Sequence, residues 1–112
     1  MANKTERRKH PRLEVRWPVK VLTGHSTIEC ESRNISANGL FIYCKEPLPL
    51  YNIFRLSIMP PNRQAIWVKG RVLWSKRYSS DEEKTIYGTG VCFVEISDED
   101  WHFFNDALSL YL

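Results

Sequence analysis

The stretch Ala65-Ile66-Trp67-Val68-Lys69-Gly70-Arg71-Val72-Leu73-Trp74-Ser75-Lys76 decides the fold class. Ile66, Val68, Gly70, Val72 and Trp74 fall on one side and Trp67, Lys69 and Arg71 on the other. That two-residue period is the mark of a strand with one face buried. Upstream, Leu13, Val15, Trp17, Val19 and Val21 alternate with Glu14, Arg16 and Lys20, which predicts a first strand from Leu13. Pro18 cannot donate to a ladder, so this strand is expected at an edge or bulged there. Further strands are expected at 27–35, 40–44, 53–59 and 86–96, separated by Thr23-Gly24-His25-Ser26, Ser36-Ala37-Asn38-Gly39, Pro47 and Pro49, Pro60-Pro61-Asn62 and the polar loop 78–83.

The period changes after residue 97. Trp101, Phe104, Leu108 and Tyr111 recur as i, i+3, i+7 and i+10, which predicts an amphipathic helix over about 98–111. Ser97 stands at its N-cap, and Asp98, Glu99 and Asp100 face the positive end of the helix dipole. Six strands followed by one helix indicate a mainly β domain, a small antiparallel barrel or sandwich with the helix packed on it.

The 112 residues, 43% hydrophobic and 26% charged, suit one domain with a self-supporting core. No apolar run approaches a membrane span, and the N-terminus lacks the apolar core of a signal peptide, so a cytoplasmic protein without membrane insertion is expected. Cys30, Cys44 and Cys92 show no C-x-x-C spacing, so neither a disulfide framework nor a zinc site is signalled, and reduced, mostly buried thiols are expected. His10, His25 and His102 have no spacing that suggests a metal site or a nucleophile dyad. Enzymatic activity is therefore not expected.

Charge is unevenly spread. Residues 1–12 hold five cations against Glu6, residues 13–80 hold ten cations against four acids, and residues 81–112 hold Lys84 against eight acids. Such an asymmetry points to a localised anion site. Residues 1–12 have almost no apolar side chain to offset their conformational entropy and are expected to form a flexible basic arm on a 13–112 barrel.

Within the arm, Arg8-Lys9-His10-Pro11-Arg12 has the form R-x-x-x-R, and Pro11 biases His10 away from helical geometry. Two guanidiniums so spaced can approach one anion from different sides, with forked donors for phosphate oxygens and flat faces for a base. Arg12 and Arg16 have the same spacing, but Arg16 belongs to the polar face of the first strand, which favours Arg8 and Arg12. Further on, Asn34-Ile35-Ser36-Ala37-Asn38-Gly39 ends a strand with Asn34 and Ser36 on one face. Gly39 permits a sharp turn or close approach to a ligand. An amide, a hydroxyl and bare backbone together suit the edge and phosphate of a nucleotide.

The two motifs in this order, within six strands and a helix, resemble the PilZ domain, a bacterial receptor module for cyclic di-GMP. The resemblance extends to Lys69-Gly70-Arg71-Val72-Leu73-Trp74 in the fifth strand and to Gly90-Val91-Cys92-Phe93 in the sixth. It implies a six-stranded antiparallel β-barrel with a C-terminal helix. It also implies a non-enzymatic receptor, with cyclic di-GMP as ligand, no cofactor and no metal, and with occupancy relayed to a protein effector. Carried over, Arg8 and Arg12 would bind phosphates and guanine faces, with Arg7 and Lys9 as auxiliary cations, while Asn34, Ser36 and Gly39 would hold the guanine and phosphate from the barrel. Asn34 stands where many members have Asp, and Asn38 where many have a second Gly. Trp74, at the end of the apolar alternation, is expected either beside the ligand or in the core. The competing reading is a barrel that binds single-stranded nucleic acid by stacking aromatics, for which Trp67 and Phe41 are candidates.

Overall fold

The computed structural model describes residues 12–79 and 84–109. Within these, β1 (Pro18–Leu22), β2 (Thr27–Ser36), β3 (Gly39–Cys44), β4 (Ile53–Ile58), β5 (Ile66–Ser79) and β6 (Thr85–Ile96) precede α1 (Asp98–Ser109). All neighbouring strands are antiparallel, and they close into a barrel in the order β1-β2-β3-β6-β5-β4, with β4 returning to β1. Closure leaves no edge strand to be protected. Of the basic arm expected at residues 1–12, only Arg12 is among the described residues, so Arg7 and Arg8 lie outside them.

The inward face of each strand supplies the core: Val19 and Val21, Ile35, Leu40 and Ile42, Leu56 and Ile58, Ile66, Val68 and Val72, and Val91 are all buried. The α1 helix adds Phe104 to this cluster, where its ring stacks on Phe93 at 5.8 Å between centroids. Ser97 caps the helix as its spacing predicts, its Oγ accepting from Asp100 N–H at 3.1 Å. Arg63, from the β4–β5 loop, holds the helix start through an ion pair with Asp100 at 3.2 Å and lies 4.1 Å over the Phe103 ring.

Three expectations change. The first strand does not run on from Leu13. Leu13 makes a single antiparallel bridge to Ile35, and regular pairing with β2 resumes with Pro18 opposite Glu31, one residue out of step. The buried Ser32 hydroxyl fills the gap by accepting from Trp17 N–H and donating to the Val15 carbonyl. Pro18 therefore sits at the start of β1, where a missing N–H costs no ladder bond, and the barrel needs no edge there.

The helix face is also rotated from the expected stripe. Phe104 and Leu108 are buried, but Trp101 is 40% exposed, and Phe103 and Ala107 pack inward instead. Tyr111 lies outside the described residues. The inward set 103, 104, 107 and 108 follows the i, i+1, i+4, i+5 spacing of one helix face more closely than a stripe through Trp101.

The third change concerns Trp74, expected on the same face as Val72. Val72 pairs with Val91 and Trp74 with Gly90, so Leu73 is the extra residue of a β-bulge. One inserted residue reverses the alternation, and Trp74 turns outward at 45% exposure. Ahead of the bulge, Val72 is tied through both backbone groups to the loop before β4: Tyr51 N–H donates to its carbonyl at 2.7 Å, and its N–H donates to Asn52 O at 3.0 Å.

Phe104→Ala is expected to lower unfolding free energy by about 3–5 kcal/mol, the cost of emptying a buried aromatic site. Trp101→Ala, although it removes a larger ring, is expected to cost about 1 kcal/mol or less. Urea unfolding of both variants measures the difference and checks the helix face.

Candidate ligand-binding site

A second bulge shapes the other half of the barrel surface. Ser32 pairs with Ile42 and Asn34 with Phe41, which leaves Arg33 as the extra residue of β2. Ser32 points inward before the bulge and Ile35 inward after it, so Asn34 and Ser36 face outward together. Without that slip Asn34 would share the inward face with Ser32.

Register then lines up a row across four strands: Asn34 on β2, Phe41 on β3, Gly90 on β6 and Trp74 on β5. The Trp74 ring lies 5.1 Å from Phe41 between centroids and rests on the backbone of Gly90. A Cβ at residue 90 would run into Nε1, Cε2 and Cδ1 of that indole. Glycine there is what lets the ring lie down across β6.

The turn after β2 completes the wall. Ser36 and Gly39 form the last pair of the β2–β3 hairpin. The Ser36 hydroxyl accepts from Asn38 N–H and donates to the Gly39 carbonyl, both at 3.3 Å, while Phe93 N–H binds Asn38 O at 2.7 Å. Neither Asn38 nor Gly39 has a positive φ, so tolerance of left-handed backbone is not what these positions use. Gly39 serves close approach instead: a Cβ there would strike the Val91 carbonyl on β6.

Arg12 is delivered by its neighbour. Leu13 exchanges two backbone hydrogen bonds with Ile35, at 2.7 and 2.8 Å, and buries its side chain with Ala37 and Leu108. Continuing that register brings Arg12 alongside Ser36. The result is a hollow of about 430 Å³ with Arg12, Asn34, Ser36 and Asn38 on one side, Leu73 and Trp74 on the other, and Gly39, Phe41, Gly90 and Val91 between them. Among the described residues no carboxylate lines it. The Arg12 guanidinium and the Asn34 amide make no side-chain hydrogen bond among the described residues, and both line the hollow.

Five of the residues singled out from sequence, Arg12, Asn34, Ser36, Gly39 and Trp74, thus line one hollow. Leu73 and Phe41 were not assigned to it, since the bulge that brings Leu73 to the rim has no signature in a pattern of alternating apolar residues. The rings also continue beyond the hollow: Phe41 meets Tyr43 at 5.4 Å, Tyr43 meets Tyr78 at 6.0 Å, and Arg33 and Lys76 lie over Tyr43 and Tyr78. Trp67 is not part of this run, because it pairs with Ser57 of β4 and carries Arg55 over its ring. Among the described residues no group of three or more His, Cys, Asp or Glu side chains could hold a metal ion. None of their helices is long and apolar enough to cross a membrane.

A family model for the PilZ domain matches residues 6–108. The chain belongs to the PilZ domain family. No curated protein matches the sequence, but solved structures share its fold. The PilZ domain of YcgR from Escherichia coli, determined with c-di-GMP, superposes with a TM-score of 0.73 at 12% identity, over 91% of this chain and 88% of that one. The Bacillus subtilis inhibitor of motility MotI (DgrA) gives 0.74 at 18% identity, over 99% and 56%. The K. pneumonia MrkH–c-di-GMP complex gives 0.77 at 18% identity, over 90% and 49%. This PilZ domain therefore spans about half the length of MotI and MrkH. Its barrel with one C-terminal helix is the architecture the sequence resemblance implied.

Because the indole occupies the space above residue 90, Gly90→Ala is expected to destabilise this PilZ domain by about 1–3 kcal/mol through overpacking. In a Trp74→Ala background the same substitution is expected to cost close to nothing. A double-mutant cycle from denaturant unfolding measures the coupling.

Proposed function

We propose that this PilZ domain is a non-enzymatic receptor for cyclic di-GMP. The observation that carries this reading is the convergence of Arg12, Asn34, Ser36 and Trp74 on one hollow that no carboxylate lines among the described residues. A cyclic dinucleotide offers two anionic phosphates and two guanines, each with a polar edge and a flat face. Arg12 supplies a forked cation for phosphate, and Ser36 adds a hydroxyl beside it. Asn34 presents an amide oxygen to the N–H donors of a guanine edge, a weaker acceptor than the carboxylate found at this position in many family members. Trp74, with Phe41 behind it, offers an aromatic face for a base.

Arg8, four residues before Arg12, is assigned as the second phosphate and guanine-face ligand, with Arg7 as an auxiliary cation. The c-di-GMP named in the YcgR and MrkH structures supports the same ligand here. Occupancy is relayed to a protein effector. Supporting that role, the Leu73 side chain is exposed at the hollow, and Tyr51, on the loop bonded to Val72, is exposed as well. The run of rings from Trp74 through Phe41 and Tyr43 to Tyr78 favours a second reading, stacking of single-stranded nucleic acid.

Calorimetric titration with cyclic di-GMP, GMP and a short single-stranded oligonucleotide separates the two. Cyclic di-GMP is expected to bind in preference to both others, and tighter binding of the oligonucleotide would reverse the assignment. Charged hydrogen bonds contribute about 1.5–3 kcal/mol each, so Arg12→Ala or Arg8→Ala is expected to weaken binding about 10- to 150-fold. Unchanged affinity in Arg8→Ala with loss in Arg16→Ala would shift the arginine pair by four residues. Asn34→Asp is expected to preserve or tighten binding and Asn34→Ala to loosen it, and equal affinity in all three proteins would remove Asn34 from the site.

A further inference from the structure

Away from the hollow, the β2–β3 hairpin carries two cysteines that the ligand site does not use, Cys44 in the barrel core and Cys30 packed against it. Cys30 and Cys44 are directly opposed in the antiparallel ladder, at the end of the hairpin remote from the Ser36–Gly39 turn. Opposed residues of an antiparallel pair have Cα atoms about 4.5–5.5 Å apart, inside the roughly 4.4–6.8 Å that a disulfide spans. Their side chains point the same way, and the two Sγ atoms are 2.7 Å apart. No backbone movement is needed to join them.

The surroundings suit the chemistry. The Cys30 thiol donates to the Cys44 sulfur, and this bond, helped by Thr89, draws the Cys44 thiol below its ordinary pKa against the effect of burial. The same contact and burial push Cys30 up, so Cys44 is the sulfur of the pair that carries a charge more readily. The Thr89 hydroxyl is wholly buried and has no satisfied hydrogen bond among the described residues, although it lies close enough to Cys44 to stabilise a charge on that sulfur. A buried donor left without an acceptor is costly, and a thiolate at Cys44 gives it one. Cys44 is 1% exposed whereas Cys30 is partly exposed, so an oxidant has access to one sulfur of the two.

We infer that Cys30 and Cys44 form a reversible intrachain disulfide, a redox-responsive modification that pins the hairpin bearing Asn34, Ser36 and Gly39. The oxidant is a low-molecular-weight disulfide such as oxidised glutathione. The Cys30 sulfur, its proton passed to Cys44 or solvent, attacks that disulfide and releases one glutathione thiolate. The released glutathione thiolate takes up the proton from Cys44, and the Cys44 thiolate then attacks the Cys30 sulfur of the mixed disulfide and expels the second glutathione as a thiolate, which is protonated by solvent. Two thiols lose two electrons and two protons, and one oxidised glutathione becomes two reduced ones. Cys92, on β6 and outside this pair, stays a thiol.

The test uses the wild-type chain, incubated with oxidised glutathione and then alkylated under denaturing conditions. Peptide mapping is expected to show Cys30 joined to Cys44 within a monomer, Cys92 alone alkylated, and all three alkylated after dithiothreitol. The cross-link closes a loop of about 15 residues and is expected to raise the unfolding midpoint by on the order of 10 °C. Amide exchange across residues 34–41 is expected to slow in the oxidised protein. In Cys30→Ser, Cys44 is expected to remain free under the same treatment, with no rise in midpoint. Recovery of Cys30 and Cys44 as separate alkylated or glutathionylated residues, or joined only between two chains, would overturn the proposal. So would a disulfide that leaves both the midpoint and the exchange of residues 34–41 unchanged, since the hairpin would then not be pinned.

Discussion

Everything at the site depends on two slips in the alternation of inward and outward residues, one on β2 and one on β5. A closed barrel of six strands has an interior that accepts apolar side chains at every second residue, and a chain that kept this rhythm throughout would bury Asn34 and Trp74. The extra residues Arg33 on β2 and Leu73 on β5 break the rhythm once on each side of the site. Each bulge hands the outward face to the residues that follow it. The core does not suffer, because Ile35 and Val72 still fill their inward positions.

Backbone approach sets the second constraint. β6 runs between the two bulged strands, and its lack of side chains at Gly90 is what allows the Trp74 ring to reach Phe41 across it. Gly39 plays the matching part in β3, where its bare Cα admits the Val91 carbonyl. A polar amide, a hydroxyl and an arginine are thereby brought opposite an aromatic wall on a rigid sheet, without help from strained loop conformations. The Cys30–Cys44 pair belongs to the same hairpin, so a single covalent event at one end of it bears on the turn at the other.

The helix takes part in the site without touching it. Leu108 packs on Ala37 of the turn and on Leu13, and Leu13 in turn is bonded to Ile35 through both of its backbone groups. Arg12 is held at the rim by this small cluster, which lies apart from the main core. The docking of α1 and the position of the arginine are therefore one packing problem, and the ion pair of Arg63 with Asp100 secures the far end of the same helix.

Sequence alone determined the number and order of the elements, the antiparallel mainly β class, the Ser97 cap and the family. Each rests on local information: two-residue periodicity, turn residues, a hydroxyl before a run of acids, and two motifs at a set separation. Asn34 and Ser36 were legible as partners because residues two apart share a strand face. Sequence did not determine which face that was, whether Trp74 was core or surface, where β1 began, or which side of the helix was buried. A bulge leaves no mark in composition, since one inserted residue is recognised only against the strand it pairs with. Pairing across the barrel joins residues far apart in the chain, such as Phe41 with Gly90 and Cys30 with Cys44, and only the closed register brings them together.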